Sequence, residues 1–316
     1  MMGRSIPIRN EAQWRKLRQQ HVGGSEVAAL FGEHPQISRW ELWHRKAGTI
    51  PEPDLSANER VFWGATLEPA IARGVAAKTG WTIKKVRRYH SRRPDLALGA
   101  SLDYEIVAHD RGPGILEIKT ADRLVARGWN DGEPPLSYEL QVQAYLACTG
   151  RSWAAMAVLI GGNELRLFEY ERRPKTIAAI EAAVREFWRS IEAGEEPRPE
   201  FERDGATIAQ LYGATIKGKV VDLSSSNRLP ELCAAYRIAA DTEKDGHAAK
   251  EAARAEILSI IGDAEIAICN GYRISAGAVA GTPDRIITPE MVGQTIKGRA
   301  GYRSLRITDK REPANA

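Results

Sequence analysis

Asp103, Glu117 and Lys119 are the residues whose types and spacing speak most directly of chemistry. They stand in the segments Gly99-Ala-Ser-Leu-Asp103 and Ile115-Leu-Glu117-Ile-Lys119, separated by a Gly-Pro-Gly turn around Pro113. Side chains two apart in a strand share a face, so Glu117 and Lys119 point to one side and Leu116 and Ile118 into a core, which predicts a charged pair on a rigid edge. With Asp103 on the neighbouring strand of the hairpin, two carboxylates converge as hard oxygen ligands suited to Mg²⁺ or Mn²⁺. Two such ions about 4 Å apart activate a water and steady the leaving oxygen of a phosphodiester. Lys119 then orients that water or offsets charge in the transition state. Read without neighbours, the same residues also describe a turn acid followed by a solvated strand face.

The elements needed to hold this trio are legible on both sides of it. Ser25 to Phe31 reads as a short helix opened by Ser25 as N-cap, with Val27, Leu30 and Phe31 on its apolar side and Gly32 ending it. Glu59 to Lys78 is a longer helix closed by Gly80, in which Leu67, Ile71 and Val75 recur at helical spacing and put Glu68 at the stripe's edge. Strands are predicted over Trp81 to Val86, Leu96 to Val107 and Ile115 to Thr120, the last two forming a hairpin. A helix over Ser137 to Ala147, a hairpin of Ala154 to Ile160 with Glu164 to Tyr170, and a helix over Thr176 to Glu192 follow. This order argues for an α/β domain, a mixed sheet flanked by helices.

The stretch Gly194 to Pro199, GEEPRP, marks a linker, giving domains at 1–200 and 201–316. The second is expected to be a smaller α+β unit: a helix over Leu229 to Ile261, interrupted near Asp245 and Gly246, then two or three strands.

Composition narrows the class. The 316 residues are 43% hydrophobic and 27% charged, enough for a sizeable core, and 45 Lys and Arg against 41 Asp and Glu leave a net charge of only +4. Any nucleic-acid surface must therefore come from clustering. Such a cluster runs from Lys84 through Lys85, Arg87, Arg88 and Arg92 to Arg93, interleaved with Tyr89 and His90, just before the Asp103 strand. It could neutralise several phosphates or form a solvated hairpin face. Trp40, Trp43 and Trp63 are candidates for stacking on bases or for core packing.

Cys148, Cys233 and Cys269 are too far apart for a CxxC zinc site, a disulfide scaffold or a four-thiolate iron-sulfur cluster, and the histidines show no ligand spacing. No P-loop appears, so ATP-driven unwinding is not indicated. No apolar run approaches the ~18 residues of a membrane span, and the polar start is unlike a signal peptide, so the cytoplasm is the expected compartment.

Taken together, the ordered motifs resemble the phage-type exonucleases of the PD-(D/E)xK nuclease superfamily, the YqaJ-type viral recombinases and bacteriophage lambda exonuclease. The resemblance rests on Trp14, Leu17-Arg18, Gly24-Ser25-Glu26-Val27, Trp40-Glu-Leu-Trp43 with Lys46 and Gly48, Trp63-Gly64 with Glu68, Asp103, Glu117-Ile-Lys119 and Gln141-Val-Gln143. It spans residues 1–200. Leu102 replaces the proline of the superfamily's name, a position that ligates nothing.

The resemblance implies a restriction-endonuclease-like core and two Mg²⁺ or Mn²⁺ ions held by Asp103, Glu117, the Ile118 carbonyl and Glu68, with Lys119 as catalytic lysine. Gln143, and less directly Gln141, would lie beside the attacking water or scissile phosphate, while Arg18 and Ser25 would hold the 5′ phosphate of the digested strand. The implied activity is 5′ to 3′ exonuclease action on double-stranded DNA ends in a bacterial host. It would release mononucleotides and leave 3′ tails for a RecT-type or Red-beta-type single-strand annealing protein, with a homo-oligomer ring enclosing the duplex. An endonuclease or nickase with the same site and a catalytically silent DNA-binding recombination accessory are the alternatives. Nothing in the resemblance assigns a role to residues 201–316.

Overall fold

The computed structural model describes residues 4–92, 96–129, 132–214 and 216–281, and the backbone of the short strands Arg285–Ile286, Thr295–Ile296, Tyr302–Arg303 and Arg306–Asp309. It divides into two units, Met1–Lys217 and Gly218–Ala316.

The first unit opens with β1 (Arg4–Pro7), α1 (Glu11–Gln19), β2 (Val22–Gly23), a 3-10 helix (Gly24–Phe31) and α2 (Arg39–Ala47). Next comes α3 (Glu59–Thr79), whose N-cap Asn58 accepts from the Arg60 and Val61 N–H groups and which ends at Gly80 in the left-handed conformation at φ 73°. Then follow β3 (Thr82–Lys85), β4 (Arg88–Ser91), β5 (Leu98–Ser101), β6 (Tyr104–Ala108) and β7 (Gly114–Ala121). After α4 (Arg123–Arg127) come α5 (Leu136–Thr149), β8 (Trp153–Ile160), β9 (Glu164–Glu171), α6 (Pro174–Ala193) and α7 (Phe201–Leu211).

Two sheets organise these elements. The larger has the order β3-β6-β7-β8-β9 and is antiparallel except for the parallel pair β7–β8, in which Glu117 lies opposite Met156 and Lys119 opposite Val158. The smaller has the order β1-β4-β5-β2. The expected strand over Leu96 to Val107 is therefore two strands in two sheets, broken at Leu102 and Asp103. Its even-numbered apolar residues divide between two cores. Leu98, Ala100 and Leu102 pack with the 3-10 helix, α5 and α6, while Tyr104 and Ile106 pack with Ile71, Ala72 and Val75 of α3.

β7 is sandwiched between those cores. Ile115 belongs to the first, and Leu116 and Ile118 to the second. It is a central strand, not the rigid edge expected from the pattern, because β6 and β8 flank it.

The chain from Gly194 through α7 still belongs to the first unit. Asp204 on α7, fully buried, accepts from Ser38 Oγ at 2.6 Å and from the Glu200 N–H at 2.7 Å, and Ser38 in turn caps α2 by accepting from the Glu41 N–H. In the second unit a single helix, Arg228–Ile261, runs uninterrupted through Asp245 and Gly246 with none of its residues buried. Ile266–Cys269, Tyr272–Ser275 and Arg306–Asp309 form an antiparallel sheet, and two further strand pairs lie between them in sequence.

Replacing Asp204 leaves the Ser38 hydroxyl and the Glu200 N–H without their buried acceptor, so Asp204→Ala is expected to destabilise the first unit by about 1–3 kcal/mol. An unchanged urea midpoint for this variant would contradict the tether.

Candidate active site

Asp103 occupies the bend where β5 gives way to β6. The pairing of β6 with β7 ends at Tyr104 opposite Leu116. Beyond that point the Asp103 carboxylate takes over as acceptor, receiving the Ile118 N–H at 2.9 Å. A strand residue's N–H and C=O project to the same side, so the Ile118 carbonyl also faces this gap. Burial, then the Glu117 carboxylate, push the Asp103 carboxyl well above the usual carboxylate range, against the opposing effect of the Ile118 bond.

Glu117 leaves β7 on the α5 side and is only 3% exposed, which excludes a solvated strand face. Its Oε1 accepts from Lys119 Nζ at 2.8 Å and from Gln141 Nε2 at 2.6 Å. Its Oε2 is buried with no hydrogen-bond partner among the described residues. Burial alone would lower the Lys119 pKa, but the Glu117 charge and hydrogen bond outweigh it and raise it, so the ammonium stays protonated. Lys119 Nζ also lies 5.8 Å from the centre of the Tyr138 ring.

Glu68 reaches the same place from α3. Together with Gly64, Asp103, Glu117, Ile118, Lys119 and Thr120 it lines a cleft of about 230 Å³. Three carboxylates and a backbone carbonyl are a hard oxygen set suited to Mg²⁺ or Mn²⁺, and the buried, unpartnered Glu117 Oε2 is the atom such an ion would satisfy. Among the described residues no three His, Cys, Asp or Glu side chains converge as a ready-made ligand set. Each carboxylate is instead turned to a protein group: Glu68 to Lys85, Asp103 to the Ile118 N–H, and Glu117 to Lys119 and Gln141.

The two glutamines of α5 divide sharply. Gln141 bridges Glu117 and the Tyr145 hydroxyl, its Nε2 donating to both. Gln143, fully buried, donates to the Glu171 carbonyl at 2.7 Å and accepts from the Arg173 N–H at 2.9 Å, locking the junction of β9 and α6. Residues two apart on a helix point to different sides, so α5 brings Gln141, and not Gln143, to Glu117.

Arg18 and Ser25 belong to a neighbouring charge cluster. Glu26, 3% exposed, accepts from Arg18 at 2.9 Å, Lys46 at 2.8 Å and the Gly23 N–H at 2.7 Å. Burial alone would raise the Glu26 pKa, but Lys46 and Arg18, with the hydrogen bonds from Lys46 and Gly23, outweigh it and hold it at about 2. Gly23, not Ser25, is the N-cap of the 3-10 helix, because the Glu26 side chain folds back to its N–H. Ser25 lies in the helix's first turn, exposed to solvent. Gly24 is packed so closely that a Cβ there would lie 2.5 Å from Tyr145 Cε1, which joins this cluster to the Gln141 and Glu117 network.

The YqaJ-like viral recombinase domain matches residues 13–152, a span that contains Arg18, Glu26, Lys46, Glu68, Asp103, Glu117, Lys119, Gln141 and Gln143. The chain is 34% identical over 227 residues to the uncharacterized protein YqaJ of Bacillus subtilis (strain 168), covering 68% of either sequence. It belongs to the YqaJ-like viral recombinase family. In fold it is similar to the crystal structure of an alkaline exonuclease from Laribacter hongkongensis, with a TM-score of 0.50 and 24% identity over 63% of this chain and 100% of that one. The likeness and the mixed sheet flanked by helices agree with a PD-(D/E)xK-like core.

Three residues of the basic run of this YqaJ-like domain are engaged with different partners. Lys85 is paired with Glu68, Arg92 with Glu181 at 2.7 Å, and Arg88 donates to Ser5. Lys84 and Arg87 are exposed and carry no side-chain ion pair among the described residues, while Arg93 lies outside them. Trp40 and Trp43, 2% and 8% exposed, are core residues and present no face to a base, whereas Trp63 is 51% exposed next to Gly64 on the cleft wall. Sequence reasoning missed Tyr145 and gave Lys46 no role beyond its place in the motif, since a lysine near a helix end does not signal its partner Glu26. Among the described residues, no helix is long and apolar enough to cross a membrane.

Because the Glu26 pKa is depressed, its stabilisation is fully present above its unfolded value near 4.5 and is lost as pH falls toward 2. The loss amounts to roughly 3 kcal/mol for a shift of this size. Glu26→Gln is expected to flatten the acid limb of the stability–pH curve, and an acid limb identical to wild type would contradict the buried ion cluster.

Proposed function

We propose that this chain is a metal-dependent deoxyribonuclease that degrades one strand of duplex DNA from its 5′ end, releasing mononucleotides and leaving 3′ single-stranded tails for an annealing protein. The observation that carries this reading is the meeting of Glu68, Asp103, Glu117 and Lys119 in one cleft at the point where β6 stops short along β7.

On this reading Asp103, Glu117, the Ile118 carbonyl and Glu68 hold Mg²⁺ or Mn²⁺, two ions per site. Bound there, the ions would supply Lewis-acid polarisation of the phosphate and a water acidified enough to attack it. The chain's own residues do the rest. Lys119, kept protonated beside Glu117, offsets the charge that grows on the phosphate oxygens and orients the water through its N–H groups. Gln141 fixes the rotamer of Glu117 and has its own amide anchored on Tyr145. Arg18, held by only one of its terminal nitrogens on Glu26, keeps donors for the 5′ phosphate, with the exposed Ser25 hydroxyl nearby in sequence. Lys84 and Arg87 supply salt-sensitive contacts to the duplex backbone. Without a P-loop, processivity comes from enclosing the duplex in a ring of copies, in the cytoplasm of a bacterial host and beside a RecT-type or Red-beta-type annealing protein.

The test is incubation of the full chain and Mg²⁺ with linear duplex labelled at either end, with 5′ phosphate or 5′ hydroxyl termini, and covalently closed circles as control. Loss of label from phosphorylated 5′ ends with circles intact is expected. Cut circles would favour an endonuclease, and binding without cleavage a silent accessory. Arg18→Ala is expected to erode the preference for 5′ phosphate, and an unchanged preference would remove Arg18 from the pocket.

The glutamines give a separate comparison. Gln141→Ala is expected to slow cleavage by about 10- to 100-fold with the fold intact, the range for a lost positioning contact. Gln143→Ala is expected to cost about 1–3 kcal/mol of stability, because it removes a fully buried side chain that bonds the Glu171 carbonyl and the Arg173 N–H, with near-normal cleavage per folded molecule. The reverse pattern would restore Gln143 to the site.

A further inference from the structure

The cleft holds two of its three carboxylates through lysines of different kinds. Lys119 lies two residues from Glu117 on the same central strand, with its side chain 25% exposed. Lys85 is the last residue of the edge strand β3, with its side chain 44% exposed, and it pairs with Glu68 on α3. Its ammonium also lies 4.8 Å from the centre of the Tyr104 ring. Glu68 is therefore held toward Lys85 while lining the same cleft as Asp103 and Glu117.

This arrangement explains why three acids share a cleft of about 230 Å³ without converging as a ligand set. Three carboxylates in so small a space repel one another, and a nearby cation relieves the repulsion when no ion is bound. A lysine on a flexible stem at a sheet edge suits that part. Its charge is compact, its pairing is screened by solvent, and swinging into water costs it little.

We infer that Lys85 is a tethered counter-cation that competes with a divalent metal ion for Glu68, setting how readily the site fills. This takes Lys85 out of the DNA-contacting group and makes it a positioning residue for Glu68. The inference rests on the proposed metal site.

The experiment measures Mn²⁺ binding to the full chain without DNA, by titration calorimetry and by the loss of the free-Mn²⁺ electron paramagnetic resonance signal. Wild type is compared with Lys85→Met, Lys85→Arg and Asp103→Ala/Glu117→Ala. Lys85→Met is expected to bind Mn²⁺ about 3- to 10-fold more tightly at low salt, the size of effect for removing a half-exposed competing charge. The gain should shrink as added monovalent salt screens the wild-type pair. Lys85→Arg, which keeps the charge, is expected to stay near wild type. Uptake that depends on Asp103 and Glu117 but is equal or weaker in Lys85→Met overturns the role of Lys85 and leaves the metal site standing. No uptake by wild type and Lys85→Met alike, or uptake that persists in Asp103→Ala/Glu117→Ala, overturns the metal reading and this inference with it.

Discussion

A carboxylate buried on a central strand must be matched by donors, and the protein is arranged around meeting that demand for Glu117. One oxygen is covered by Lys119 from its own strand and by Gln141 from α5, and the other has no hydrogen-bond partner among the described residues. Leaving a charged oxygen buried and unmatched is costly in a folded chain, and such a cost persists where a site needs it. Gln141 is itself held by Tyr145, whose ring lies against Gly24 at the start of the 3-10 helix. The charge cluster of Arg18, Glu26 and Lys46 is thereby packed against the network that orients Glu117.

The second constraint is topological. β6 ends before β7 does, and the chain crosses there from one core to the other. That early ending leaves the Ile118 N–H and carbonyl without strand partners. The Asp103 side chain takes the N–H, and the carbonyl is left facing the cleft. Glu68 arrives from the opposite face of the sheet because Ile71, Ala72 and Val75 fasten α3 over Leu116 and Ile118. Opposite faces of one sheet can present groups to the same point only beyond the end of a neighbouring strand, which is where this cleft lies.

Much of this was readable in the residues, and the gaps have physical causes. Period-two spacing in Ile115 to Lys119 placed Glu117 and Lys119 together, and the helix stripe of α3 put Glu68 at its edge. The break at Asp103 was hidden because Leu98, Ala100, Leu102, Tyr104 and Ile106 keep one unbroken alternation while packing into two different cores. β4 was hidden inside a basic run, since Arg88 and His90 mask the alternation of Tyr89 and Ser91. The choice between Gln141 and Gln143 depends on how α5 is rotated against β7, which a helix buried nearly all round does not reveal by its pattern. Ser25 has the composition of an N-cap, but the Glu26 side chain reaches the Gly23 N–H first. Ion pairs such as Lys85 with Glu68 join residues remote in sequence and follow only from the packed sheet.

The most direct measurement is the single-turnover cleavage rate of phosphorylated linear duplex with saturating Mg²⁺, for wild type and for Asp103→Ala, Glu117→Ala and Lys119→Ala. Each variant would first be shown by circular dichroism and urea unfolding to be folded. The account predicts cleavage by wild type and a fall of at least about 100-fold in every variant, since each removes a group that acts on the reacting phosphate. Wild-type rates in any one of the three folded variants would contradict the assignment of this cleft as the reacting centre.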